Sequence, residues 1–207
     1  EIMFYISVPR KFSDILEKQV HGFFPEASVE WTEEVNIFAQ DGFSAAAYLK
    51  LQKSNILPTR TYKELNSDPL QDLTNALSKL EAEGEGASVQ LVIRPVKGWE
   101  QLGLKVAKKM QQDGIDFEKA KNEVSGSWMK LFSFGKSSDD KKDQTSKSLT
   151  PLQQEAVKAI ENKSSKLGFE VNVRLVSSAK SEVRAKEILR QIMSSFAQFA
   201  SATLNCF

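Results

Sequence analysis

The side chains able to do chemistry are few in this chain, and their spacing keeps them from acting together. His21 is the sole histidine and Cys206 the sole cysteine. They sit at opposite ends of the chain, so neither a Cys/His nucleophile pair nor a zinc site of ordinary ligand spacing can be assembled from neighbouring positions. His21 falls at the end of a helical pattern, where a cationic side chain offsets the helix dipole, and it reads as a capping residue, not a base. Phe134-Gly135-Lys136-Ser137 ends like a phosphate-binding loop, but that motif needs a glycine where this chain has Lys130. Without it the backbone N–H groups cannot wrap a phosphate. Glu81, Glu83 and Glu85, punctuated by Gly84 and Gly86, lack the Asp/Asn ligands a calcium loop uses, and read as a solvated turn. The expectation is a chain with no catalytic residue, no cofactor and no metal: not an enzyme.

Binding surfaces are better represented. Arg94, Lys97, Lys105, Lys108 and Lys109 gather at and on one predicted helix, a candidate contact for nucleic acid. The whole chain nevertheless balances 28 Lys+Arg against 27 Asp+Glu, a net +1, without the basic excess usual in nucleic-acid binders. Trp128-Met129-Lys130-Leu131-Phe132-Ser133-Phe134 sets five large apolar side chains beside a polar, charged stretch, and an isolated apolar cluster marks an interface. Trp99, Trp128, Met129, Leu131, Phe132 and Phe134 are the interface candidates. Two other readings stay open for the Trp128 hook: folding back onto a sheet, or touching a membrane surface through Lys130, Lys136, Lys141 and Lys142, against Asp139, Asp140 and Asp143.

Positioning these residues falls to a repeat. Asp68 to Val96 and Thr150 to Ser178 share one plan, a helix then a strand, with Pro69/Pro151, Gln71/Gln153, Gly86/Gly168, Val89/Val171, Leu91/Val173 and Ile93/Leu175 in register. Asp68 and Thr150 read as N-caps, each followed by proline at the first helical position, and Gln71 and Gln153 can close capping boxes. Before the first copy, Met3–Val8 reads as a strand, 9–21 as a helix, Val29–Thr32 as a short strand, and Phe43–Leu51 alternates as a half-buried strand. The order predicts an α+β fold: a ferredoxin-like βαββαβ sandwich with helices on one face of a mostly antiparallel sheet, followed by a partial second repeat, α-β-α. The predicted parts are 1–112 with an amphipathic helix at its end, a flexible linker with its aromatic hook over 113–149, and a second helix-strand-helix half over 150–207.

The 41% hydrophobic content supports a core, and no apolar run reaches the roughly 20 residues needed to span a bilayer. A single cysteine fits a reducing compartment. The chain opens on a strand-like segment and stops soon after a long helix, the pattern of an excised piece.

Phe4-Tyr5-Ile6, Pro9-Arg10-Lys11-Phe12, Leu16-Glu17-Lys18-Gln19 and Phe24-Pro25-Glu26-Ala27 resemble a family of uncharacterised bacterial proteins anchored in the membrane at their N-terminus. The resemblance continues through Asp68-Pro69-Leu70, 74–80, Glu83-Gly84-Glu85-Gly86-Ala87, Ile93-Arg94-Pro95, Gly168-Phe169-Glu170-Val171-Asn172 and 196–207. Such proteins look like the N-terminal portion associated with conjugative-transfer, type IV secretion-like ATPases. The resemblance implies a non-catalytic scaffold or assembly domain, cytoplasmic at the inner face of the membrane. Its expected contacts are self-association or an ATPase subunit, with the membrane reached only through segments outside this chain. It carries over no catalytic residue. Nucleic-acid binding through Arg94, Lys97, Lys105, Lys108 and Lys109 is the alternative.

Overall fold

The two strands of the repeat pair with each other. In the computed structural model, which describes residues 2–33, 35–65, 67–81, 83–132 and 148–207, β1 (Phe43–Leu49), β2 (Gly86–Val96) and β3 (Gly168–Ala179) form one antiparallel sheet in the order β1-β3-β2. The register sets Leu91 opposite Val173, Val89 opposite Leu175 and Ile93 opposite Val171. Leu91 and Val173 are equivalent positions of the two copies, 173 − 91 = 82 residues apart. A pseudo-twofold axis therefore passes between them and relates the two ends of the β2–β3 ribbon.

Helices flank the ribbon in the same symmetric way. α2 (Gln71–Ser78) leads into β2 and α3 (Trp99–Asp113) leaves it, while α5 (Pro151–Ser164) leads into β3 and α6 (Glu182–Ser195) leaves it. An antiparallel ribbon brings the helix before one strand beside the helix after the other, so α2 packs on α6 and α3 on α5. Thr150 begins α5 through a capping box, its hydroxyl accepting from the Gln153 N–H, with Pro151 in the first turn. Ser181 caps α6 by accepting from the Arg184 N–H. In the first copy Asp68 instead holds a turn, its Oδ1 accepting from Leu70 N–H at 2.9 Å, and the helix starts three residues later.

Two cores result. One lies between α6, α2 and the sheet, built from Val173, Leu175, Ala179, Ala185, Ile188, Leu189 and Ile192 with Ala45, Ala47, Leu49, Leu73 and Leu77 against them. The other joins Val106, Ala107 and Met110 of α3, Phe117 and Ala120 of α4 (Phe117–Phe132), Val157 and Ile160 of α5, and Ile56 and Leu57 of the connection after β1. Asn205 fastens the C-terminal tail to that connection. Its side-chain N–H groups donate to the carbonyls of Ser54 and Leu57, and its Oδ1 accepts from Lys53 N–H and Cys206 N–H, all within 3.1 Å.

The fold class is α+β, with a three-stranded antiparallel sheet and six helices among the described residues. The ferredoxin-like βαββαβ order does not appear there, because Met3–Val8 and Val29–Thr32 are not part of the sheet among the described residues. Alternation alone does not make a strand, which also needs a neighbouring strand in register. α1 (Ser13–Phe23) forms as the periodicity predicts, yet it buries no residue and its main neighbour is the 3-10 turn Arg10–Phe12 that precedes it. Within the expected linker over 113–149 lies α4, whose Phe117 and Ala120 are in a core, and 133–147 fall outside the described residues. In the part 150–207, strand β3 is the central one of the sheet and pairs with both others.

Candidate docking surface

Strand residues alternate between faces, and cross-strand partners share a face. Ala87, Val89, Leu91 and Ile93 of β2 therefore lie on the same face as Phe169, Val171, Val173, Leu175 and Ala179 of β3. Under α6 and α2 this face is closed: Leu175 and Ala179 are fully buried. Beyond Val173 it is bare, and Leu91 is 61%, Ile93 63%, Val171 49% and Phe169 56% exposed. The pseudo-twofold assigns this end to α5 and α3, as α2 and α6 serve the other. Those helices pack instead on each other, α4, Ile56 and Leu57. The four side chains leave on the order of 400 Å² of contiguous apolar surface in water, in the range where such patches are binding sites.

The opposite face is mixed: Gln90 and Arg174 are joined by a hydrogen bond of 3.3 Å and Arg94 is ion-paired to Glu170 across the strands, while Val92 between them is 43% exposed. The face of Leu91, Ile93, Val171 and Phe169 is thus the more apolar of the two at the ribbon's free end.

A second uncovered apolar surface is the N-terminal arm. Phe4, Tyr5, Ile6, Ile15, Phe23 and Trp31 are all exposed. The arm is rooted at the covered end of the ribbon and on its opposite face: Ala39 N–H donates to Ser178 Oγ at 3.1 Å, and a Cβ on Gly86 would meet the Ile37 carbonyl oxygen at 2.1 Å. Gly86 is required because backbone crosses directly over it.

The residues singled out in the sequence distribute differently. Trp99 packs edge-on against Gly168, where a Cβ would come within 1.7 Å of its Nε1, and the Lys163 ammonium lies 5.9 Å from its ring centroid. Lys163 Nζ donates to the Asn55 carbonyl, and burial pushes that ammonium's pKa down. Trp99 thus joins α3 and α5 to the ribbon. Trp128, Met129, Leu131 and Phe132 belong to the last turns of α4, and Phe134 lies outside the described residues.

Of the basic set, Arg94 is held by Glu170, and Lys109 by Asp113 at 2.6 Å and Glu123 at 3.1 Å. The Asp113 and Glu123 carboxylates raise the Lys109 pKa and tie α3 to α4. Lys97, Lys105 and Lys108 are exposed and make no ion pair among the described residues. Glu85, read from sequence as part of a solvated turn, is 6% exposed at its side chain and receives two hydrogen bonds from Arg184, at 2.6 and 3.1 Å. That guanidinium holds the Glu85 carboxyl below its usual range.

Among the described residues no group of His, Cys, Asp and Glu could hold a metal ion, and no helix is long and apolar enough to cross a membrane. The concavity on α1 lined by Asp14, Glu17, Lys18 and His21 is an open groove along one helix face. Leu91, Ile93, Phe169 and Val171, which the geometry marks most clearly, were legible in sequence only as strand positions of one face. The signal that one end lacks a cover is the symmetry of the pairing, which needs the register.

No curated protein and no solved structure matches the chain. A family model matches residues 1–205, nearly its whole length, and the chain belongs to that family, described as domain of unknown function (DUF8128).

Proposed function

We propose that this chain is a non-catalytic assembly domain that works by protein–protein contact, and that its principal contact surface is the bare end of the β2–β3 ribbon. The observation that supports it is the apolar face of Leu91, Ile93, Val171 and Phe169, exposed on an ordered two-stranded ribbon whose reverse side carries the Gln90–Arg174 and Arg94–Glu170 pairs. Burying such a face is worth on the order of 10 kcal/mol at ~25 cal/mol per Å², before the costs of association. The edge of β2 away from β3, which pairs with no other strand among the described residues, adds backbone groups on which another strand can be laid. A further strand there would bring the sheet to the four strands of a ferredoxin-like sandwich. The setting, a membrane-associated type IV secretion-like or DNA-transfer machine with the domain on the cytoplasmic side, rests on the family resemblance of the strings quoted above.

A photo-crosslinking side chain placed at Ile93 in cells making the natural full-length protein tests the surface. Discrete protein adducts are expected from Ile93 and none from Gln90 on the opposite face; equal background from both positions refutes the reading. The nucleic-acid alternative retains Lys97, Lys105 and Lys108 as exposed cations that make no ion pair among the described residues. It requires binding that weakens steeply with salt, by roughly a factor of ten or more between 50 and 200 mM. Binding lost in a Lys97→Ala/Lys105→Ala/Lys108→Ala variant would favour it over the apolar face.

A further inference from the structure

The sheet face turned away from α2 and α6 carries a different set of side chains. On it the register sets Tyr48 beside Arg174 and Arg174 beside Gln90, one residue from each strand in a single row. The adjoining row of the ribbon holds Asn172 and Val92, and the next Glu170 and Arg94. Lys50 follows Tyr48 by two positions, on the same side of the chain. Tyr48 is 69% exposed, and Lys50, Gln90, Asn172 and Arg174 are exposed with it. Arg174 donates to Gln90 Oε1 at 3.3 Å, and neither Arg174 nor Lys50 makes an ion pair among the described residues. The face thus presents a ring open to stacking, cations without a carboxylate, and two amides that both donate and accept.

We propose that this face binds single-stranded nucleic acid, with a base stacked on Tyr48, phosphate groups at Arg174 and Lys50, and base edges or sugar hydroxyls at Gln90 and Asn172. It is the reverse of the surface of Leu91 and Ile93, so the proposal does not rest on the protein-contact reading. It also differs in place from the basic helix, whose Lys105 and Lys108 stand on α3.

Charge favours an anionic ligand here, because the chain's +1 is unevenly spread. Residues 1–38 hold Arg10, Lys11 and Lys18 against Glu1, Asp14, Glu17, Glu26, Glu30, Glu33 and Glu34, a net −4. Taking that from +1 leaves +5 on residues 39–207, which contain all three strands. A body of that sign attracts phosphates. Shape favours a single strand over a duplex. Three antiparallel strands are roughly 10 Å across, a platform for one extended row of nucleotides with nothing projecting to enter a groove. A tyrosine standing off such a platform meets a base only where bases are unstacked and splayed. Side-chain chemistry then matches the three parts of a nucleotide: ring to base, guanidinium to phosphate, amide to base edge or ribose. A protein partner would find less apolar area here than on the other face, with Ala46 and Val92 the exposed aliphatic groups around Tyr48.

Fluorescence anisotropy of the purified full chain tests this. The probes are labelled RNA and DNA strands of about 12 nucleotides and mixed sequence, and the same DNA annealed as a duplex. At about 50 mM salt the single strands should bind at least about tenfold more tightly than the duplex. Tyr48→Ala should weaken binding about fivefold or more, and Tyr48→Phe should keep it, a pattern that stacking produces and a change of charge does not. Arg174→Gln should lower the slope of log affinity against log salt by about 0.7, one phosphate contact on a single strand. Ile93→Thr on the other face should alter neither quantity, and circular dichroism checks that each variant is folded. RNA bound more tightly than DNA supports the proposal with the ribose hydroxyl as a contact of the amides; equal binding supports it through base and phosphate alone. No binding at this salt, a duplex bound as tightly as the single strands, or Tyr48→Ala without effect overturns the proposal. Binding lost in the Lys97→Ala/Lys105→Ala/Lys108→Ala variant but kept in Tyr48→Ala and Arg174→Gln also overturns it, in favour of the basic helix.

Discussion

Glu85 is a carboxylate with little water around it and a guanidinium against it, which makes its protonation a stability switch. Because Arg184 lowers its folded-state pKa, the stabilisation is complete above the ordinary carboxylate range and is lost as pH falls through the depressed value. Glu85→Gln should cost about 1.5–3 kcal/mol in denaturant unfolding at pH 7 and should flatten the acid side of the stability profile; an unchanged profile would mean the pair contributes nothing net. Asn205 is a second such residue. It is fully buried, and truncation to alanine leaves the Ser54 and Leu57 carbonyls and the Lys53 N–H without that partner. A loss of about 3 kcal/mol or more is expected, read from the shift in the urea midpoint. Neither residue announces itself in the sequence. Glu85 looks like one member of an acidic run, and its partner is 99 positions away; Asn205 looks like a tail residue.

Among the elements, the contact between α3 and α5 depends on an absent side chain. Gly103 lies where a Cβ would come within 2.2 Å of Ser164 Oγ, so Gly103→Val should force the helices apart and cost about 1–3 kcal/mol in thermal unfolding. Gly22→Ala is the control: nothing lies within 4 Å of the added carbon, and α1 should gain helicity by circular dichroism. Which elements exist was largely written in the sequence, because caps and periods are local. Thr150, Pro151 and Gln153 start α5 as their types dictate, and the alternations of 43–49, 86–96 and 168–179 all became strands. Met3–Val8 has the same kind of pattern without becoming one, since a strand also needs a neighbour, and neighbours are not local. α4 was missed for a related reason: its core contact is Phe117 and Ala120, too little periodicity to stand out before a polar stretch. The bare face was hidden most deeply, because alternation tells which side chains share a face but not which helix covers it.

Across the whole molecule, stability is divided between two cores joined by the ribbon. Native-state hydrogen exchange should find the amides of β3 beside Leu175 the slowest and those of α1 among the fastest. Comparable protection in α1 and β3 at high dilution would contradict this division.

The register that places Leu91 against Val173 has one more outcome, and it concerns folding instead of the folded state. A strand that pairs with its own repeat about a local axis carries a nearly self-complementary face. β2 of one nascent molecule can therefore meet β2 of another in almost the alignment it finds with β3, Val89 against Ile93 and Leu91 against Leu91. Duplication has given each chain an internal partner and left a decoy in each of its neighbours. Refolding yield should accordingly fall with protein concentration, and the loss should lessen when the self-matching centre is made unlike itself by Leu91→Thr, a change at an exposed position.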